Sequence, residues 1–325
     1  MRKFSSQAVF VCVAGLSLLV TGCSQIANLQ AKMSFREANG HYQGQDWPAA
    51  VAAYEETLAE EPTDPQLLTS YFFLGNSYDN QYQPSRKGQA ANDEFLAKAV
   101  ANYSKAAEVI TGNSEGCPNC GQIKTLSIQY LVAAYGADKL NDPSQAEPLL
   151  QKLIQMDPKE VPNYVLLAQL YEDSGDYEGA EGTLLKARQA KPEDPAVYTT
   201  LAAYYDRQGQ FDKLVEALES RTAMEPNNPE AHYTIATYYF NKASRDFSLS
   251  AADKTRYTVA GITAVDKALA INAEYMDALV YKNLLLRQQA LTEKNVARQQ
   301  SLLKEADALR NRAEEIRTKK AAGLS

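Results

Sequence analysis

Apolar and aromatic residues return along the middle of the chain with a period of 34 residues. One copy of the pattern contains Tyr164, Leu167, Ala168, Tyr171, Gly175, Tyr177, Ala180, Leu184, Ala187 and Pro192. Its counterpart, 34 positions later, contains Tyr198, Leu201, Ala202, Tyr205, Gly209, Phe211, Leu214, Leu218, Arg221 and Pro226. Within each copy the apolar positions lie three or four residues apart, which is the spacing of one face of a helix. The pattern therefore predicts repeated helices.

Small residues and turn formers divide each copy into two helices. Ala168 and Ala202 leave room for two helix backbones to approach each other closely. Gly175 and Gly209 stand where the first helix has to end, and Asp176 can cap the start of the next helix. Each copy is thus predicted to be a helix–turn–helix unit.

This arrangement resembles the tetratricopeptide repeat (TPR), in which two antiparallel helices cross at small residues and a proline follows the second helix. The resemblance implies an all-α fold, a right-handed superhelical solenoid whose first helices line a concave face. The family generally uses that face to hold peptides or protein segments.

Looser copies keep the same register on both sides of the clear pair. They are marked by Ala50, Tyr54 and Pro62, then Leu74, Gly75, Tyr78, Ala99 and Tyr103, then Leu131, Tyr135, Ala146, Leu150 and Pro158, and finally Ile235, Ala236, Tyr239 and Ala268. Polar insertions are expected at residues 81–92 and 243–254. We expect about six helix pairs, followed by a further first helix at residues 276–290, in a repeat domain over residues 34–292.

The C-terminal segment, residues 293–325, has a different pattern. Its apolar positions recur three and four residues apart among many charges, at Leu302, Ala306, Leu309, Ala313 and Ile316. We expect a helix that caps the last repeat, because an uncapped solenoid end exposes apolar surface. A coiled coil that binds a partner is the main alternative, and attraction to an anionic lipid or polymer is another.

The first 22 residues have the features of a secretory signal. Arg2 and Lys3 precede an apolar run at residues 8–20, which is too short to span a bilayer as a helix. We therefore expect residues 1–22 to be removed.

The segment Leu19-Val20-Thr21-Gly22-Cys23 resembles the bacterial lipobox. The resemblance implies that Cys23 carries diacylglycerol as the first residue of the mature chain and that residues 23–33 form a tether. Because Ser24 rather than Asp follows the cysteine, it also implies transfer to the outer membrane. A plain signal peptide with a chance cysteine is the alternative.

Charge and motif content narrow the classes of function. The chain has 40 acidic and 33 basic residues, a net charge of −7, which disfavours binding to nucleic acid. Serine-protease, phosphate-loop, dinucleotide and zinc-protease motifs are absent from the sequence. We expect neither an enzyme nor a bound cofactor or metal.

Cys117-Pro118-Asn119-Cys120 is the reactive-looking motif of the chain. Its neighbours are helical repeats rather than the βαβ unit of thioredoxin-like proteins, and Gly121 stands where a c-type haem motif needs histidine. We expect a structural disulfide, with a redox-active pair as the alternative.

The two histidines fall on first-helix positions of their repeats. His232 takes the place of Tyr164 and Tyr198, and His41 lies on the first repeat's first helix. A packing role is expected for both rather than acid–base chemistry.

Groove positions carried over from the family are Gln169, Glu172, Thr199, Asp206, Tyr233, Thr237 and Phe240. Some TPR proteins clamp a C-terminal carboxylate with basic residues there, but apart from Arg207 these positions are neutral or acidic. A neutral or basic, partly apolar segment fits better, with Tyr233 and Phe240 as anchors.

Architecture and address together look like those of bacterial outer-membrane TPR lipoproteins. They imply a lipid-anchored scaffold or adaptor that binds protein segments on the periplasmic side and supports a secretion, pilus or outer-membrane-protein assembly complex. A thiol–disulfide module using Cys117 and Cys120 is one alternative, and an adaptor for a peptidoglycan enzyme or a protease is another.

Overall fold

The computed structural model describes residues 7–114 and 116–323, with side chains from residue 25 onward. These residues form fourteen α-helices and one short 3-10 helix (Pro84–Arg86), with an isolated β-bridge between Ser114 and Cys117 in place of any strand. The predicted all-α class is confirmed. The helices are α1 (Gln7–Gln43), α2 (Trp47–Glu60), α3 (Thr69–Asp79), α4 (Ala90–Val109), α5 (Cys120–Ala134), α6 (Pro143–Met156), α7 (Val161–Asp173), α8 (Tyr177–Ala190), α9 (Pro195–Arg207), α10 (Phe211–Met224), α11 (Pro229–Arg245), α12 (Ala251–Ile271), α13 (Met276–Thr292) and α14 (Val296–Ala321).

The chain divides into two compact units, Met1–Leu170 and Tyr171–Ser325. In the first unit α1 packs on α2, α3 on α4 and α5 on α6. In the second unit the corresponding pairs are α9 with α10, α11 with α12 and α13 with α14. Consecutive pairing of neighbouring helices is the arrangement that the 34-residue pattern predicted.

The turns between paired helices follow the predicted chemistry. Gly175 and Gly209 adopt left-handed φ angles of 82° and 67°, which a residue with a side chain rarely adopts. Asp176 accepts a hydrogen bond from the backbone N–H of Gly179 at 2.9 Å and so caps α8. Both glycines end their helices as the sequence predicts.

Tyrosines fill the core where alanines let the helices approach. Tyr54, Tyr103 and Tyr204 are among the largest fully buried side chains. The hydroxyls of these three tyrosines have partners: that of Tyr54 donates to Asn39 Oδ1 at 2.7 Å, that of Tyr204 donates to the carbonyl of Tyr177 at 2.7 Å, and that of Tyr103 donates to Asp79 at 3.4 Å. The high tyrosine content therefore serves packing, because a buried ring is stabilising when its hydroxyl is satisfied.

The two predicted insertions differ in structure. Residues 81–89 form an irregular segment around Pro84–Arg86, and residues 90–92 already belong to α4. From that helix, Asn92 makes two hydrogen bonds with the backbone of Gln83, at 2.9 and 3.1 Å. The other predicted insertion is mostly helical, because α11 continues to Arg245 and α12 begins at Ala251. Its short remaining loop carries Phe247, which is 89% exposed.

α14 covers α13 at the end of the chain, as the capping prediction requires. Ala313 and Ile316 of α14 pack with Leu279 of α13 in a buried cluster. At its other end, Arg287 of α13 donates to Asp307 of α14 at 2.5 Å. The apolar face of the last repeat is thus buried by the chain itself.

The structure describes only part of the segment on which the N-terminal predictions rest. Residues 7–43 form one continuous helix, so residues 23–33 are helical. Residues 1–6 lie outside the described residues, and so do the side chains of residues 7–24, including that of Cys23. Within the described part of the chain, no helix combines the length and apolarity needed to cross a bilayer.

Candidate functional site

The predicted groove residues lie on α7, α9 and α11. Gln169 is an exposed residue of α7 in the first unit, and Asp206 is exposed at the end of α9 in the second. The hydroxyls of Thr199 and Thr237 donate within their own helices, to the carbonyls of Pro195 at 3.2 Å and Thr234 at 2.7 Å.

Glu172 is held by a residue of the next repeat. Arg207 donates to its two carboxylate oxygens at 2.9 and 2.8 Å, and Gln208 donates at 3.1 Å. The hydrogen bonds from Arg207 lower the pKa of Glu172 below its usual value. Glu172 therefore joins α7 to α9, and its carboxylate is already engaged.

Tyr233 and Phe240, the predicted anchors, belong to an aromatic row. Tyr233 lies edge-on to Tyr275 and Tyr281, with ring centroids 5.4 and 5.3 Å apart, and Phe240 lies edge-on to Tyr281 at 5.6 Å. Burial, together with the charge interaction with Tyr281, raises the pKa of Tyr233 to about 12, so its hydroxyl stays protonated at neutral pH. The row offers ring edges and faces along the α11–α13 surface.

An apolar cleft of about 410 Å³ continues from Phe240 between α13 and α14. We call it the α11 cleft; it is lined by Phe240, Leu284, Arg287, Gln288, Leu291 and Leu303. Leu291 is 78% exposed, which is unusual for so large an apolar side chain. Sequence reasoning placed Phe240 here but missed Tyr275, Tyr281 and the leucines. The predicted first helix at residues 276–290 was the signal that could have located them.

The first unit contains a polar pocket of about 640 Å³, which the sequence did not reveal. We call it the α3 pocket. Trp47, Asn80, Tyr82, Tyr130 and Lys139 are among the residues that line it. The insertion at residues 81–92 was a usable signal, because Tyr82 and Pro84 of that segment form part of the wall.

A chain of hydrogen bonds connects three residues that line the α3 pocket with two tyrosines that pack behind them. The hydroxyl of Tyr42 donates to Asn76 Oδ1 at 2.8 Å, and Asn76 donates to the hydroxyl of Tyr103 at 3.3 Å. That hydroxyl donates in turn to Asp79 at 3.4 Å, while Lys139 donates to the other Asp79 oxygen at 2.6 Å. These bonds join α1, α3, α4 and the loop after α5, and fix the pocket's polar side.

Cys117 and Cys120 are joined by a disulfide at the start of α5, with an S–S distance of 2.08 Å. Both residues are buried, with 4% and 3% of their surfaces exposed. Beside them, the side chain of Asn113 accepts a hydrogen bond from the backbone N–H of Gly121 at 2.7 Å. The disulfide thus belongs to a packed loop rather than to an open surface.

His232 makes the contact that tyrosines make in other repeats. The hydroxyls of Tyr164 and Tyr198 donate to the carbonyls of Pro158 and Pro192 at 3.0 and 2.9 Å. Nε2 of His232 lies 3.1 Å from the carbonyl of Pro226, six residues earlier, just as in those pairs. Nothing in the described part of the chain groups three histidine, cysteine or acidic side chains suitably for a metal ion.

Comparisons with known proteins support the repeats. Residues 139–204 match the family model described as tetratricopeptide repeat. Among solved structures, the C-terminal part of a TPR repeat-containing protein from Cytophaga hutchinsonii has a TM-score of 0.52 at 15% identity and covers 87% of this chain and 98% of its own. That chain therefore shares the fold.

Two further structures are more distant. A tetratricopeptide repeat protein from Parabacteroides merdae has a TM-score of 0.45 at 14% identity, covering 86% of this chain and 99% of its own. YrrB, a TPR protein with an unusual peptide-binding site, has a TM-score of 0.31 at 17% identity, covering 76% of this chain and 88% of its own. No curated protein sequence matches the chain.

Proposed function

We propose that this TPR protein is a lipid-anchored scaffold of the cell envelope, and that it binds a partly apolar segment of a partner protein in the α11 cleft. The aromatic row of Tyr233, Tyr281 and Phe240, which leads into that cleft, carries the proposal. Such a row provides apolar surface that is already ordered before binding, so little conformational entropy is lost.

The charges around the α11 cleft favour a segment without strong negative charge. Arg287 is neutralised by Asp307, and the amide of Gln288 is uncharged. Asp206, at the end of α9, is an exposed carboxylate close enough to Tyr238 of α11 to affect its pKa. Apolar side chains of the partner would occupy the cleft, while neutral or basic residues would face the polar edge.

Lipid attachment at Cys23 would hold the scaffold at the outer membrane, facing the periplasm. Its support is the sequence Leu19–Cys23 after an apolar run without charged residues. Two or more acyl chains anchor a protein stably, whereas one gives marginal binding. Cys23→Ser should move the protein from the membrane fraction to the soluble fraction, and unchanged fractionation would contradict the anchor.

The binding site is tested by photo-crosslinking in cells. A photoreactive amino acid at Gln288, inside the α11 cleft, should give a defined adduct, whereas one at the exposed Lys267 of α12 should not. Phe240→Ala should reduce the yield of that adduct at least about fivefold. Phe247→Ala, which removes an exposed phenylalanine outside the cleft, is the matched control. Equal yields from the two variants would refute the assignment.

A further inference from the structure

We propose that the α3 pocket of the first unit binds a neutral saccharide, a ligand of different chemistry from the protein segment assigned to the α11 cleft. The inference does not depend on the proposed scaffold function. One residue of the pocket wall, Gln45, has a backbone conformation that its residue type disfavours.

Gln45 occupies a turn position that favours glycine. In the turns before α8 and α10 the corresponding residues are Gly175 and Gly209, both with positive φ. The backbone hydrogen bonds match: Asp46 donates to the carbonyl of His41 at 2.9 Å, as Asp176 donates to that of Tyr171 at 2.8 Å. Gln45 has a φ of 59°, which is costly for a residue with a side chain.

Gln45 is one of the residues that line the α3 pocket, so the residue with the costly φ angle is a polar residue of the pocket wall. Asn141, in a second turn of the first unit, provides a comparison with Gln45. Asn141 also has a positive φ, of 54°, but it does not belong to the pocket lining. Asparagine tolerates this conformation through local hydrogen bonding, whereas glutamine has no such preference. Strain kept at a binding surface is a known mark of function.

The lining of the pocket is charge-balanced. Lys139 and Asp79 form an ion pair at 2.6 Å, and their side chains are only 17% and 9% exposed. Each charge is therefore compensated inside the wall, and neither is available for a ligand of opposite charge. This balance favours a neutral ligand.

Several polar groups of the lining have no hydrogen-bond partner among the described residues. The Tyr82 hydroxyl is buried without one. The indole N–H of Trp47 and the hydroxyl of Tyr130 likewise make no hydrogen bond within the described part of the chain, although both residues line the pocket. A ligand with several closely spaced donors and acceptors would satisfy the groups of Trp47 and Tyr130, whereas the fully buried Tyr82 hydroxyl is reached only if the wall shifts.

A saccharide fits this combination better than a peptide segment. Its hydroxyls are dense, neutral donors and acceptors, and its C–H faces can lie on the rings of Trp47 and Tyr130. An apolar peptide side chain finds a more suitable surface in the α11 cleft, whose lining includes Phe240 and three leucines. Among the described residues that line the α3 pocket, Pro84 is the one aliphatic residue.

Trp47 makes the test direct, because it is the single tryptophan of the chain. The full chain in detergent is titrated with chitotetraose and, separately, with maltotetraose while Trp47 emission is recorded, and calorimetry is run in parallel. We expect saturable binding of at least one saccharide. Gln45→Gly should weaken it about three- to tenfold, as for the loss of one or two hydrogen bonds, while leaving Tm unchanged or higher.

Asn141→Gly is the matched control, since it makes the same backbone change outside the pocket and should leave saccharide affinity unchanged. Absence of saturable binding by both methods would overturn the proposal. So would a response of Trp47 to apolar peptides rather than to saccharides, or equal effects of the two glycine variants. Phe240→Ala should not alter the titration, so failure of the α11 cleft assignment and failure of this one are distinguishable.

Discussion

Arg207 reaches back 35 residues to Glu172 and donates to both of its carboxylate oxygens, at 2.9 and 2.8 Å. The glutamate side chain is 12% exposed and the arginine side chain 51%. The pair lies between the first helices of adjacent repeats and ties the end of α7 to the end of α9. It is therefore a link between repeats at a position where the family's pattern suggested a ligand contact.

Glu172→Gln should lower the free energy of unfolding by about 1 kcal/mol at pH 7, since the partly exposed pair is weakened by solvent. The pKa of Glu172 is lowered in the folded state, so its contribution is present above the ordinary glutamate pKa and is lost as the pH falls through the folded value. The difference between wild type and variant should shrink below about pH 4.5. Urea unfolding at pH 7 and pH 3.5 measures it. Glu178→Gln, at an exposed carboxylate of α8, should show no comparable pH-dependent difference.

Gly75→Ala should destabilise the protein by about 1–3 kcal/mol, because α3 and α4 approach closely there. An added Cβ would lie 2.9 Å from the ring of the buried Tyr103 and 3.1 Å from the carbonyl of Ala99. Gly182→Ala in α8 is the control, because its Cβ would meet nothing within 4 Å. That change should stabilise by about 0.5–1 kcal/mol through helix propensity alone. Thermal unfolding compares the two, and the same sign for both would contradict the close approach.

The packing of α14 is tested by two alanines on the same helix. Ala306 is fully buried, whereas Ala308 is exposed. Ala306→Glu buries a charge without a partner and should cost at least about 2 kcal/mol, with increased dye binding by the uncovered α13 face. Ala308→Glu should change stability by less than about 0.5 kcal/mol. Equal stability of the two variants would show that α14 does not cover α13.

His232→Tyr should preserve the contact with the Pro226 carbonyl, because tyrosines in two other repeats make the same contact. We expect an unfolding free energy within about 0.5 kcal/mol of wild type. His232→Ala removes the contact and should cost about 1 kcal/mol. Urea unfolding of both variants checks the expectation, and equal losses would rule out a shared role.

The Cys117–Cys120 disulfide should resist mild reduction in the folded protein, because both cysteines are buried. Alkylation after dithiothreitol treatment, followed by mass spectrometry, should therefore require denaturant. A pair that reduces and reacts readily in the native state would favour the redox alternative. Cys117→Ser combined with Cys120→Ser should mainly speed amide exchange in residues 111–124, because so short a loop adds little global stability.

The repeat pattern was enough to predict the helical fold, since Gly175, Gly209 and Asp176 mark turns by local chemistry alone. It also singled out Tyr233 and Phe240, whose rings both contact Tyr281 in the structure. What it could not give were contacts between residues far apart in sequence. The pairing of Glu172 with Arg207 and the hydrogen bonds from Tyr42 to Lys139 depend on side-chain geometry across several helices. Spacing within one helix does not encode them.

The backbone conformation of Gln45 is another feature that the sequence alone could not predict. The sequence shows a glutamine before a capping aspartate, but the cost of that glutamine appears only once its φ angle is known. The polar insertion expected at residues 243–254 came without a prediction of its structure. Residues 246–250 form a loop, and the residues on either side extend α11 to Arg245 and begin α12 at Ala251.

The position of α14 also sets a rule for how this chain can vary. Because α14 pairs with α13 and buries only Ala306, Ala313 and Ile316 of its own residues, it offers little apolar surface on which a further repeat could stack. Longer or shorter relatives of this protein should arise by duplication or loss of internal helix pairs, with the α13–α14 terminus carried along as a fixed end piece.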